Sequence, residues 1–505
     1  MAKKSRGADA LAAALARAGV KQVFTLSGNH IMPVFDAALD AGIRLIHTRH
    51  EAAAVHMADA WARITGEVGV ALVTGGPGHA NAVSALYTAL AADSAMVLLS
   101  GHAPTNELGR GAFQEMAQAE MAAPACKGSW MVRSADALGA DLARAMRIAK
   151  EGRPGPVHLS LPSDLLEATV DVAVPERNAF QAEPGKADPQ ILDVLQKAKK
   201  PLLIAGPASA SARGRAALRR FEEAAGVPAI VMESPRGVND PSQGLLAEVL
   251  AAADVVVLAG KRRDFTLRFG DAFGKDCRIL ETETLPEAPA KPWPKGGWLN
   301  EVHAAIAFRP AAWKNLASAS AGPVHPVEVG REVQKLLDKP GAVLVSDGGE
   351  FGQWAQATVR AEHRIINGVA GAIGAALPFA AAAKLALPGS TVVAMLGDGT
   401  FGFHSSEIDT AVREKLGYVA VVGNDCCWNA EYQIQLRSYG AARAQGLDLL
   451  PTRYDQVAAA FGAHGEHVER PAELEPALAR AAGAGRAACV NVMIERLPAP
   501  VFRRG

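Results

Sequence analysis

Two short apolar runs, each broken by a glycine-flanked carboxylate, limit what this chain can fold into more than any other feature. Residues 392–396 (VVAML) run into Gly397-Asp398-Gly399-Thr400, and residues 418–422 (YVAVV) run into Gly423-Asn424-Asp425. Continuous apolar runs of this length, closed by Gly and Asp, read as buried strands that each end in a polar loop. In an open parallel sheet, neighbouring strands deliver their C-terminal loops to one edge, where ligands bind. Asp398 and Asp425 are therefore expected to converge, although a whole helical segment separates them. Two carboxylates with backbone carbonyls suit a hard divalent cation such as Mg²⁺. Backbone N–H groups of Gly399 and Thr400 near a helix start suit phosphate oxygens.

Composition agrees with a layered α/β protein. The 505 residues are 49% hydrophobic but only 5% aromatic, which favours close helix packing on sheets. That length implies two to four domains. The 52 Lys and Arg balance 52 Asp and Glu, with no long charge run, so neither a nucleic acid nor an anionic membrane is expected as partner. No apolar segment reaches the roughly 18–20 residues that span a bilayer. The N-terminal residues 1–20 carry Asp9 and Arg17 within their apolar part, which reads as an amphipathic helix rather than a signal peptide. Five cysteines, two of them adjacent at 426 and 427, make no disulfide framework, and a cytoplasmic location is expected.

Taken in order, residues 1–172 alternate strands, at 20–26, 43–47, 68–74 and 95–100, with alanine-rich helical periods, and residues 152–159 read as a turn entering a further strand. Residues 173–189 are polar and Pro-bearing and read as a linker. Strand-like runs at 201–205, 227–232, 253–260 and 278–281 form a second unit. Residues 283–324, rich in Pro, Trp and Ala, lead to a third unit with runs at 342–346, 392–396, 418–422 and 488–494. The expected fold is α/β, with three doubly wound parallel-sheet domains over 1–172, 190–315 and 325–505. The turn 206–214 lacks the G-x-G-x-x-G spacing of a dinucleotide site and reads as a plain strand–helix turn.

Gly397-Asp398-Gly399 followed by a 24-residue spacer, 400–423, and Asn424-Asp425 resembles the thiamine diphosphate (ThDP) fingerprint, whose closing pair is Asn-Asn. The resemblance implies that Asp398, the Asp425 side chain and the Cys427 carbonyl hold the Mg²⁺ that carries the diphosphate, with Gly399, Thr400 and Asn429 beside it. Upstream, Arg49-His50-Glu51 and residues 74–81 (TGGPGHAN) resemble the pyrimidine-binding half of acetolactate synthase-like and 2-hydroxyacyl-CoA lyase-like enzymes. In that family the Glu bonds the pyrimidine ring nitrogen and promotes proton loss from the thiazolium, so the role passes to Glu51. Alone, Glu51 reads equally as a carboxylate favoured by a helix N-terminus. Pro77 joins the cofactor contacts by the same resemblance. So do Gly349, Glu350 and Phe351 of the run 347–354. The Gly371 carbonyl is expected at the pyrimidine amino group, and Ile373 as the wedge beneath a bent cofactor, its plain alternative being a core position.

The residues expected to decide the reaction are Asn29, His30, Gln114 and Glu431. His30 reads otherwise as a loop-bonding histidine, and Glu431 as a solvated helix carboxylate. The family implies C–C bond making or breaking beside a carbonyl, on a small 2-oxoacid with decarboxylation and carboligation. A 2-hydroxyacyl-CoA lyase and a non-catalytic ThDP-binding regulatory homologue are the alternatives. The short stretch after the last strand leaves little for a lid over CoA, and whether FAD binds the middle unit is left open. The family also implies that Glu51 and Asp398 meet across two subunits, hence a homodimer or a tetramer.

Overall fold

Where the sequence alternates short apolar runs with alanine-rich helical periods, the chain folds into three sheets, all of them parallel. The computed structural model describes residues 5–503 except 172, 184, 186, 187, 189 and 295. The expected domain limits at 1, 172 and 505 and the linker's end at 189 lie outside the described residues. Two compact units emerge, Met1–Gly185 and Lys186–Gly505.

The first unit holds β1 (Gln22–Thr25), β2 (Arg44–His47), β3 (Gly69–Val73), β4 (Met96–His102), β5 (Gly128–Met131) and β6 (Pro156–Pro162). Their order is β2-β1-β3-β4-β6-β5. β3, β4 and β6 are buried at every position, as strands covered on both faces must be. The helix Glu51–Thr65 lies close on β3: a Cβ at Gly69 would stand 2.0 Å from the Ala58 carbonyl oxygen, so only glycine permits this approach. That contact seats the helix whose first residue is Glu51.

The second unit carries two sheets. The first is β7 (Pro201–Ala205), β8 (Ala229–Val231), β9 (Val255–Ala259) and β10 (Arg278–Thr282), ordered β10-β9-β7-β8. The other is β11 (Val343–Ser346), β12 (His363–Ile366), β13 (Val392–Gly397), β14 (Val419–Asn424), β15 (His464–Val468) and β16 (Ala488–Met493), ordered β12-β11-β13-β14-β16-β15. This repeats the strand permutation of the first unit. In both six-stranded sheets the order reverses between the first and third strands, which opens a crevice at their C-terminal ends. Thr25 and Val73 flank that crevice in the first unit, and Ser346 and Gly397 in the second.

Three edge strands lie outside the expected runs. β5 (GSWM), β12 (HRII) and β15 (HGEHV) are only half buried, so they lack the continuous apolar signal that marks the others. The expected linker contains a 3₁₀ turn, Arg177–Phe180, whose Phe180 packs into the first unit's core. The Pro- and Trp-rich stretch contains a helix, Gly297–Ala307.

Within the second unit, Glu233 follows β8 and accepts from Arg215 Nη2 at 2.7 Å and from Arg364 Nε and Nη2, on β12, at 3.0 and 2.8 Å. One buried carboxylate thus joins the two sheets of this unit. Removing it takes the shared carboxylate from two half-buried guanidiniums and leaves Arg364 only Asp240, at 3.9 Å. Glu233→Ala is expected to cost on the order of 3 kcal/mol and lower the melting temperature by roughly 5–10 °C. An unchanged melting curve would remove the junction role.

Candidate active site

β13 and β14 pair in register, with Gly397 opposite Gly423, so the two carboxylate loops leave the sheet at the same height. Asp398 opens the helix Asp398–His404 and is almost fully buried. Its Oδ1 accepts from Gly399 N at 2.9 Å, and its Oδ2 from Cys427 N at 3.2 Å, so one side chain ties both loops. Asp425 accepts from Asn429 Nδ2 at 2.8 Å. Between them Cys426 takes the left-handed conformation, φ +54°, which kinks the second loop. Burial pushes the Asp398 carboxyl up to about 6. Burial, then the neighbouring Asp398 charge, pushes Asp425 up to about 7. Two carboxylates held this way are stabilised by an arriving cation. Among the described residues no group of three or more His, Cys, Asp or Glu side chains forms a metal site. The donor set here is two carboxylates and backbone carbonyls, which is the kind Mg²⁺ takes.

A single cavity is lined by Gly349, Glu350, Phe351, Gly371, Ile373, Asp398, Gly399, Thr400, Asp425, Cys427, Asn429 and Glu431. Every candidate that the sequence placed in this unit is among them. Ile373 is half exposed to the cavity rather than a core residue. Glu431 is exposed on the helix Asn429–Tyr439 and lines the same space. A Cβ at Gly399 would stand 2.6 Å from the Trp428 ring, so the ring closes down on the first loop as only glycine allows.

Asp347 shapes the opposite wall. It accepts from Gly348 N at 2.7 Å, from Gly374 N at 3.0 Å and from Ala376 N at 3.1 Å. This carboxylate thereby binds the loop after β11 to the segment that carries Gly371 and Ile373. Burial pushes its carboxyl up to about 6. Glu350 accepts from Ala499 N at 2.7 Å and lies 3.9 Å from Arg236; burial raises its carboxyl, while Arg236 and Arg437 act against that rise.

In the first unit, the candidates come from loops at one sheet edge. Asn29 and His30 follow β1, Glu51 follows β2, Pro77 follows β3 and Gln114 follows β4. Glu51 is buried and its Oε2 accepts from Asn81 Nδ2 at 3.0 Å. Its Oε1 would be 3.2 Å from a Cβ at Gly78, so the carboxylate faces the start of the helix Pro77–Ala91. His30 is buried, with Nδ1 3.3 Å from Thr74 Oγ1 and its ring 5.9 Å from that of Phe113. Burial lowers its imidazole pKa, with His102 acting in the same direction, so it is neutral at pH 7. Gln114 has φ +57° and a buried Oε1 without a hydrogen-bond partner. Asn29 is exposed.

Several residues that shape these sites carried no sequence signal. Gln118 accepts from Gly76 N at 2.8 Å and donates to Gly101 O at 3.0 Å, which holds the turn before Pro77. Asn81 sat inside a recognised run, but its pairing with Glu51 needs the helix geometry. Arg496, far along the chain, reaches the carbonyls of Asp425 and Cys426.

Comparison with known proteins agrees with this geometry. Residues 5–121 match the family described as thiamine pyrophosphate enzyme, N-terminal TPP binding domain, and residues 347–492 match its C-terminal TPP binding domain. A "Probable acetolactate synthase" of Mycobacterium bovis is 32% identical, covering 96% of this chain and 95% of its own. The "Acetolactate synthase large subunit IlvG" of Mycobacterium tuberculosis matches to the same extent. The "2-hydroxyacyl-CoA lyase 2" of Homo sapiens is 32% identical over 92% of this chain and 86% of its own. Matches on both cofactor-binding halves, with relatives above 30% identity along nearly the whole chain, place it among the thiamine pyrophosphate (ThDP) enzymes, beside proteins named acetolactate synthase and 2-hydroxyacyl-CoA lyase 2.

Proposed function

We propose that this ThDP enzyme decarboxylates a small 2-oxoacid and joins the remaining fragment to a second carbonyl, as an acetolactate synthase-like carboligase, with Mg²⁺ as its metal. The observation that carries the reading is the single cavity lined by all twelve candidates of the second unit, with Arg236 at 3.9 Å from its Glu350. When bound, ThDP supplies a thiazolium carbon that adds to a carbonyl and accepts the electron pair of the broken C–C bond.

The chain's residues then have distinct tasks. Asp398, Asp425 and the Cys427 carbonyl would hold the cation, and Gly399 and Thr400 the diphosphate. Gly349, Phe351 and Asn429 line the same cavity, Gly371 and Ile373 would support the cofactor's ring system, and Pro77 would contact the pyrimidine. Glu51, oriented by Asn81, would hold a proton toward the pyrimidine nitrogen of the bound cofactor. Neutral His30 and the unpartnered Gln114 Oε1 offer hydrogen bonds to substrate oxygen or hydroxyl, with Asn29 at the entrance. Glu431 transfers or holds a proton on the substrate side. Arg236 and Arg437, whose charges reach Glu350, favour a substrate that carries a carboxylate.

The second reading is a 2-hydroxyacyl-CoA lyase, supported by the relatives of that name. We place domain limits at 1–172, 190–315 and 325–505. We also propose a dimer or tetramer in which Glu51 of one copy serves the Asp398 site of another. Exposed apolar residues on the segments that carry the sites, Phe113 and Tyr87 in the first unit and Phe403, Ile434 and Tyr439 in the second, support it. Among the described residues no helix is long and apolar enough to cross a membrane; a cytoplasmic location is our reading.

The deciding experiment incubates the holo-protein with separate panels of 2-oxoacids and 2-hydroxyacyl-CoAs and identifies products by mass spectrometry. Pyruvate-type substrates are expected to give CO₂ and a ligated 2-hydroxy-3-oxoacid, with Glu431→Gln shifting the ratio of aldehyde to ligation product. Turnover of acyl-CoAs alone would replace the first reading by the second. Glu51→Gln is expected to keep ThDP but lower kcat by about 10²–10⁴; normal turnover would refute the assigned proton role. Chelation of Mg²⁺ is expected to release ThDP on gel filtration, and retention would overturn the Asp398–Asp425 site.

A further inference from the structure

Two carboxylates on one divalent cation cancel its charge. Asp398 and Asp425 each contribute one negative charge and the cation two positive ones, so the pair leaves none to attract a diphosphate. Neither Asp398 nor Asp425 has a side-chain ion pair among the salt bridges of the described residues. The nearest compensation arrives from the end of the chain. β14 and β16 pair with Asn424 opposite Met493, so the segment after β16 runs alongside the second loop. Arg496 is there. Its Nε and Nη2 donate to the Asp425 carbonyl at 3.3 and 3.2 Å, and Nη2 also donates to the Cys426 carbonyl at 3.1 Å. Its Nη1 bonds Asp448 at 3.0 Å, and its guanidinium lies 5.3 Å from the centre of the Tyr432 ring. Asp448 is 83% exposed, so its contact with Arg496 is screened by solvent and leaves the positive charge effective at the loop.

We infer that Arg496 is a positioning residue for the cation–diphosphate pair: it fixes the kinked loop through two carbonyls and supplies the positive charge that the Asp398–Asp425 pair removes. The inference rests on Asp425 being a cation ligand, as proposed above. A guanidinium suits the task because it stays charged and its planar fork reaches two carbonyls at once. The loop has a second support, Trp428 N to Leu447 O at 2.8 Å and Leu449 N to Cys426 O at 2.8 Å, so its path does not hang on Arg496 alone. A purely structural clamp would act regardless of the charge at 425, whereas a compensating charge would not. This separates the two roles.

The test measures ThDP affinity at fixed Mg²⁺ by calorimetry, on the full chain and on variants, with no activity readout. Arg496→Met is expected to weaken ThDP binding about 10–100-fold, and Arg496→Lys, which keeps the charge, by only about threefold. Asp425→Asn placed in the Arg496→Met background is expected to recover about tenfold of the loss, a coupling between neighbours that independent sites would not show. Unchanged binding in Arg496→Met overturns the inference. So does equal loss in Arg496→Lys and Arg496→Met, or additivity of the two substitutions in the double variant. Binding of ThDP to the unsubstituted chain that is independent of Mg²⁺ would instead overturn the parent reading of the metal site.

Discussion

The in-register parallel pairing of β13 with β14 is the constraint on which the second unit's site depends. It puts Gly397 opposite Gly423, and everything else in the cavity is placed relative to those two strand ends. Parallel strands separated by a helical crossover can bring together residues that the chain holds far apart. Here it brings two carboxylates into a buried space where neither is at ease. Asp398 spends its oxygens on backbone N–H groups of both loops, while Asp425 has Asn429. Burial raises both carboxyls, and the Asp398 charge raises that of Asp425 further.

A second carboxylate does a different job nearby. Asp347 is as buried as Asp398, yet it is surrounded by backbone donors from two segments. Its role is geometric: it holds the wall that carries Gly371 and Ile373 against the loop that carries Gly349. The first unit uses neutral groups for the same purpose. Gln118 fastens the Gly76 turn, and Asn81 orients Glu51. Positioning of the candidate residues by neighbouring amides and acids is thus common to both units.

Much of the fold was legible because buried parallel strands carry an unbroken apolar signal. β3, β4, β13 and β14 stood out for that reason. β5, β12 and β15 did not, since an edge strand exposed on one side mixes polar and apolar residues. The helix Gly297–Ala307 was hidden by the prolines and tryptophans around it. Of the candidate site, the motif residues were visible as spacing, and in the second unit they share one cavity. Their partners were invisible: Arg496 lies 71 positions beyond Asp425, and nothing local marks it as a neighbour of that loop.

By itself, then, the sequence determined the buried strands, the parallel architecture and the chemistry of the two loops, because periodicity and Gly–Asp turns are local properties. Only the tertiary structure decided which groups share a cavity, which carboxylates are satisfied by backbone and which are not, and where a compensating charge enters. Those depend on strand order and register, which place distant segments side by side and exclude water from between them. Local sequence does not encode that burial, and burial is what sets this pair of aspartates apart from two solvated carboxylates.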